Sequence, residues 1–195
     1  MKTFTYNLDY QSSIADTVDK ALQSHNRVTA IRLDLRLSDN FDSSVLASSI
    51  MTRFIESLKA KVAADLKHKQ KAWQRHLTCN LKYAWVREVG PINGKMHFHA
   101  LLLLNKDVYH SLGDFNEKSG NLSAMIRQAW CSALRLPFPE YQQLVHFPRE
   151  GVVYMDTNHQ NFIQQQQLVL DKADYLAKEA TKHYGDGQRS FGCSR

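Results

Sequence analysis

Two apolar segments, Leu81 to Val89 and Met96 to Leu104, bracket Asn93-Gly94, and this arrangement constrains the fold more than any other feature of the chain. Asn-Gly between such runs is the strongest short-range signal for a β-hairpin, because both turn residues must accept positive φ. The second segment contains His97-Phe98-His99. A strand points residues i and i+2 to one face, so both imidazoles project together while Met96, Phe98 and Ala100 face the other way. Two registers are open. A two-residue turn at Asn93-Gly94 sets Glu88 opposite His99 and diagonal to His97; a four-residue turn over Pro91 to Gly94 sets it opposite His97. Either gathers one carboxylate and two imidazoles on one face, with β-carbons roughly 5 to 8 Å apart. A one-residue slip would break the site.

Such a set of mixed nitrogen and oxygen ligands, with positions left open, suits a divalent ion that must also hold substrate oxygens. Mn²⁺ or Mg²⁺ fits that role better than structural zinc, which prefers four closed ligands.

Around the hairpin the pattern predicts an α+β protein with a central antiparallel sheet of four or five strands and flanking helices covering one face. A first helix is expected from Ser12 or Ser13 to about Gln23 and a strand over Val28 to Leu37, whose second half alternates apolar and charged residues. A long helix is expected from Asn40 or Asp42 through Val45, Leu46, Ile50, Phe54, Ile55, Leu58 and Val62, a third helix over Leu122 to Leu134, and short strands near Leu144 to Phe147 and Gly151 to Met155. The last helix is expected from Asp171 to about His183. One domain spans 1–195, with about 1–26 as an N-terminal helical extension and about 185–195 as a loose tail.

The net charge of +6 points to a polyanionic partner. The imbalance is local: between Arg53 and His76 there are seven Lys and Arg against Glu56 and Asp65. No apolar stretch approaches the length of a membrane span, and Met1 to Tyr10 lacks the apolar core of a secretory signal, so a cytoplasmic location without membrane association is expected. Cys79, Cys131 and Cys193 are far apart with no Cys-x-x-Cys spacing, which argues against a disulfide framework or zinc ribbon.

On a helical wheel Ala173, Leu176, Ala177, Ala180 and Tyr184 form an apolar stripe, and Tyr175 falls on the other side with Asp171, Lys178, Glu179 and Lys182. A phenol beside lysines is a candidate nucleophile, since its ordinary pKa near 10 requires nearby positive charge or a base.

His97-Phe98-His99 followed by Ala100-Leu101-Leu102, with Glu88 upstream and Tyr175-Leu176-Ala177-Lys178 downstream, resembles the HUH endonucleases. More narrowly it resembles single-tyrosine replication initiators, in the group containing inovirus replication proteins and the prophage-encoded YagK/YfjJ-like proteins. The resemblance implies that His97, His99 and Glu88 hold the metal, that Tyr175 is the nucleophile and that Lys178 positions the phosphate or stabilises the phenolate. It implies nicking and rejoining of single-stranded DNA through a 5′-phosphotyrosine link, to start rolling-circle replication of a phage, prophage or plasmid element. The expected partners are single-stranded DNA with an origin hairpin, and a host helicase and polymerase. A basic groove tracking the strand is expected from the Arg53 to His76 segment with Arg32, Arg36, Lys82, Arg87 and Lys182. The alternative on the same scaffold is a DNA-binding regulator or maintenance protein without catalysis.

Overall fold

Alternating side chains on three long strands divide this molecule into two hydrocarbon layers. A computed structural model describes residues 5–41, 47–90, 94–179, 182 and 184–195. In chain order the elements are α1 (Leu8–Ser24), β1 (Arg27–Arg36), α2 (Ala47–Trp73), β2 (Lys82–Val89), β3 (Met96–Asn105), α3 (Leu122–Leu134), β4 (Val145–His146), β5 (Val152–Asp156), α4 (Phe162–Ala177) and β6 (Phe191–Cys193). The strands form one antiparallel sheet in the order β4-β1-β3-β2-β6, with β5 also pairing β1. The class is α+β with a central antiparallel sheet, and the sheet has six strands.

Helices cover both faces rather than one. Ile31, Leu33 and Leu35 of β1, Trp85 of β2 and Phe98, Ala100, Leu102 and Leu104 of β3 pack against α2 and α3. Val28, Ala30, Ala84, Val86, Leu101 and Leu103 point the opposite way and pack against α1 and α4. The near-continuous apolar character of β3 follows from this, because a strand buried on both faces has no solvent side to alternate toward.

The hairpin adopts the longer of the two expected turns. Glu88 pairs with His97 and Val89 with Met96, and the Gly90 N–H donates to the Lys95 carbonyl at 3.0 Å. Gly94 has φ of +64°, a value that favours glycine; Asn93 lies outside the described residues, as do Asp42, Val45 and Leu46 at the expected start of α2.

Several boundaries differ from expectation. α1 begins at Leu8 because the Asn7 side chain accepts from the Tyr10 N–H, an N-cap as strong as serine. Ile14, Val18 and Ala21 of α1 are buried in the second layer, so this helix belongs to the core and is not an extension. α4 starts at Phe162, since the Gln164 to Gln167 tract consists of good helix formers. It stops at Ala177, because Lys178 is extended and bridges Tyr6. The expected loose tail instead ends in β6, which pairs β2 along Ala84 to Val86. Among the described residues no helix is long and apolar enough to cross a membrane.

β6 is seated by a close approach. A Cβ on Gly192 would meet the Trp85 ring at 2.6 Å, and that ring is held in the core. Gly192→Ala should therefore lower stability by about 1–3 kcal/mol, as overpacking does, measured by denaturant unfolding; an unchanged midpoint would show that Trp85 moves freely.

Candidate metal centre

The face toward α1 and α4 changes character along its strands. At one end it carries hydrocarbon, and at the other the same alternation places Asp34 on β1, His97 and His99 on β3 and Glu88 on β2. Asp34 is the cross-strand neighbour of His99 on one side and of His146 on the other.

Glu88, His97 and His99 each offer a ligand atom, and these atoms all lie within 4.8 Å of one another. Glu88 Oε2 is 3.4 Å from His99 Nε2 and 3.7 Å from His97 Nε2. Donors sharing one ion at metal–ligand distances near 2 Å are separated by about 3–4 Å. The orientation of both rings suits ligation. His99 Nδ1–H donates to Asp34 Oδ1 at 2.6 Å and His97 Nδ1–H to the Lys95 carbonyl at 3.4 Å, which leaves the two Nε2 lone pairs facing the carboxylate. His99 Nε2 is buried without a hydrogen-bond partner among the described residues. A buried imidazole nitrogen left in that state fits a ligand awaiting a cation, so the donor set fits a divalent metal.

Glu88 is 1% exposed, and its second oxygen accepts from Lys182 Nζ at 2.6 Å. The carboxylate is thus anchored by an ammonium on one side while presenting one oxygen to the histidines. Burial lowers the Lys182 pKa against the opposing pull of Glu88. Burial raises the Asp34 carboxyl, but His99, His146 and Arg32 outweigh it and hold it at about 2. For His99 burial works against the charged ring, yet the hydrogen bond to Asp34 and the nearby Glu88 carboxylate prevail and raise its pKa. For His97 burial and the neighbouring His99 lower it.

Tyr175 lies on this face. Its ring meets His99 edge-on with centroids 4.9 Å apart, and the Arg32 guanidinium lies 4.5 Å over its centroid. The side chain is part-exposed; burial, then Glu88, raise the phenol, and Arg32 opposes them. Lys178 follows α4, its Nζ 5.7 Å from the Tyr175 centroid. An open cavity of about 490 Å³ adjoins the histidines and is lined also by Asp34, Arg36 and Leu144.

The remaining expected cations divide. Arg32 and Arg36 border the cleft. Lys182 does not present its charge to solvent, because its side chain is fully buried on Glu88. Arg87 is also buried, and it forms two bonds to Asp186, at 2.6 and 2.9 Å, that anchor the segment leading to β6. Lys82 sits six positions before Glu88 on β2, about 20 Å away at strand spacing. The basic Arg53 to His76 segment belongs mostly to α2, on the opposite face from the histidines. Asp34 and His146 were not among the expected site residues. Asp34 had one visible signal, its place between Arg32 and Arg36 on the polar side of an alternating strand.

A family model described as the YagK/YfjJ C-terminal domain matches residues 4–194. The chain belongs to the YagK/YfjJ C-terminal domain family. It is 38% identical to the uncharacterized protein YagK of Escherichia coli (strain K12) over 207 residues, covering 100% of this chain and 99% of YagK. It is 35% identical to the uncharacterized protein YfjJ of the same strain over 195 residues, covering 95% and 93%. Among solved structures, the N-terminal nuclease domain of the minute virus of mice non-structural protein 1 aligns over 96% of this YagK/YfjJ-family chain and 77% of its own at 10% identity. The TM-score of 0.26 is too low to establish a shared fold.

Two outcomes follow for the YagK/YfjJ-family centre. Asp34→Asn should weaken Mn²⁺ binding by about 10–100-fold, the usual effect of removing the group that orients a ligating histidine; calorimetry with unchanged affinity would show that Asp34 does not set the ring. Ligation needs unprotonated imidazoles, and the raised His99 pKa keeps that ring charged to higher pH than a free histidine. Protons therefore compete with the metal as pH falls, and the rise in Tm caused by Mn²⁺ should be smaller at about pH 6 than at about pH 8. An equal rise at both would exclude His99 as a ligand.

Proposed function

We propose that this protein is a metal-dependent endonuclease that nicks and rejoins single-stranded DNA through a 5′-phosphotyrosine intermediate, and that it starts replication of a phage, prophage or plasmid element by the rolling-circle route. The observation that carries the reading is the Tyr175 ring packed against His99, so that a part-exposed phenol and the Glu88-His97-His99 cluster share one cleft.

Glu88, His97 and His99 hold the ion, which is Mn²⁺ or Mg²⁺ in this reading. What such an ion would supply is positive charge on a phosphodiester oxygen, together with an offset to the burial and the Glu88 and Asp34 charges that raise the Tyr175 phenol. Asp34 and the Lys95 carbonyl fix the two imidazoles, and Lys182 fixes Glu88. Tyr175 gives up its phenolic proton to water and bonds to phosphorus; the bond to the 3′-oxygen breaks and that oxygen takes up a proton from water. The reverse attack by a 3′-hydroxyl reseals the strand and frees the tyrosine. Because the phosphoester energy is kept in the protein–DNA link, no nucleotide cofactor is consumed. Arg32 holds the ring from its face, and Lys178 supplies a second positive charge to the phosphate or the phenolate. The partners in this reading are single-stranded DNA with an origin hairpin, and a host helicase and polymerase.

One observation favours binding without cleavage, as in a regulator on the same scaffold. The Lys182 ammonium already lies 2.6 Å from Glu88 and neutralises it without any metal. Tyr175→Phe separates the two readings. Incubated with labelled single-stranded oligonucleotides and Mn²⁺, the native protein should give a protein–DNA band resistant to SDS, and Tyr175→Phe should give none while still binding the oligonucleotide. Lack of a band with the native protein favours the regulator; a band that survives the substitution moves the nucleophile elsewhere.

A further inference from the structure

A second cleft lies toward the other end of β2 and on the other face of the sheet. Tyr83 and Trp85 look away from the metal centre, toward α2, while Ala84, Val86 and Glu88 look toward it. Where β6 closes the edge of the sheet, Tyr83 helps to wall an open pocket of about 420 Å³. Basic residues from separate parts of the chain line it: Lys59 from α2, Lys82 from the start of β2, and Arg189 and Arg195 from either side of β6. Among the described residues the lining holds no acidic side chain. Glu56 borders it and bonds Lys59 at 3.2 Å. Neither Lys82 nor Arg189 is ion-paired with a described carboxylate.

Like charges brought together by three elements repel one another unless an anion joins them. The half-buried Tyr83 ring, with Lys59 Nζ 5.9 Å from its centroid, adds a flat apolar wall. Phosphates beside an aromatic surface are what a single nucleic-acid strand presents: charge along its backbone and bases that stack. An acidic peptide would satisfy the cations but has no use for the ring.

We propose that this cleft binds the sugar-phosphate backbone of single-stranded nucleic acid outside the metal centre, so that a strand engaged at Glu88 and the histidines continues around the β6 edge onto the α2 face. Its continuity with the catalytic strand rests on the nuclease reading above; its affinity for a polyanion does not. It also gives Lys82 a place in strand binding, about 20 Å along β2 from the groove beside the histidines.

The test measures binding in EDTA, so that neither metal nor cleavage contributes. Anisotropy of a labelled single-stranded oligonucleotide of about 20 nucleotides, a length within the range that single-strand binders cover, is followed across salt concentrations. Each phosphate contact contributes about 0.7 to the slope of log K against log salt for single strands, so Lys82→Gln/Arg189→Gln should flatten it by about 1.4. The charge-keeping pair Lys82→Arg/Arg189→Lys should retain the native slope. The rise in Tm caused by Mn²⁺ in the double variant should match that of the native protein, which reports that the fold and metal centre are intact. Should the double variant fail to fold, exposed Arg189→Gln alone should flatten the slope by about 0.7. A native slope in the folded variants overturns the assignment and leaves the metal-centre reading untouched, whereas absence of a Tyr175 adduct bears only on the latter. A labelled polyglutamate peptide that loses affinity in the double variant while the oligonucleotide does not would assign the cleft to acidic peptides and overturn the proposal.

Discussion

The buried carboxylate of Glu88 is the constraint on which the site depends. Removing a charge of this kind from water costs several kcal/mol unless partners replace the lost hydration. Here the partners arrive from two directions: Lys182 from the segment beyond α4, and the two imidazoles from the adjacent strand. The chain after α4 is therefore tied to the sheet by electrostatics as well as by the β6 ladder, and Arg87 with Asp186 repeats the device on the opposite face of the same strand.

Strand register turns this electrostatic demand into geometry. Because side chains alternate with period two, a slip of one residue on β2 or β3 would move Glu88 or both histidines to the hydrocarbon layer under α2, where none could be solvated or paired. The apolar residues on the same strands enforce the register: Phe98, Ala100, Leu102 and Leu104 can fill the first layer only if His97 and His99 face the second. Core packing and ligand placement are thus one specification read on two faces. α4 caps the hydrocarbon part of the second face with Val169, Ala173 and Leu176, and Tyr175, on the flank of that stripe, meets His99 edge-on.

Much of this was legible from residue order alone. The α3 boundaries coincide with the expected ones, since the apolar spacing is clean, Asn121 caps the start and Arg135 ends it in the left-handed region. The approach of Glu88 to both histidines was legible too, although the hairpin turn length was not. Of the expected apolar stripe, Ala173, Leu176 and Ala177 are buried on α4, whereas Tyr184 lies beyond the helix and is exposed, Ala180 lies outside the described residues, and the helix starts earlier than expected. The glutamines of Gln164 to Gln167 carry no apolar period, and their helicity comes from propensity and from packing of Phe162, Val169 and Leu170. β6, three residues around a glycine, carries no strand pattern in the sequence; its pairing depends on a Trp85 ring that only a glycine at 192 can approach.

Local sequence by itself determined the hairpin, the shared face of His97 and His99, the alternation of β1 and the amphipathic α3, because periodicity and turn chemistry act over a few residues. Tertiary structure alone decided that Asp34 would lie between His99 and His146, that Lys182 would neutralise Glu88, and that the basic half of α2 would lie across the sheet from the histidines. Those pairings join residues distant in the chain, and which ones meet is fixed by strand order and by the cost of leaving a buried charge without a partner.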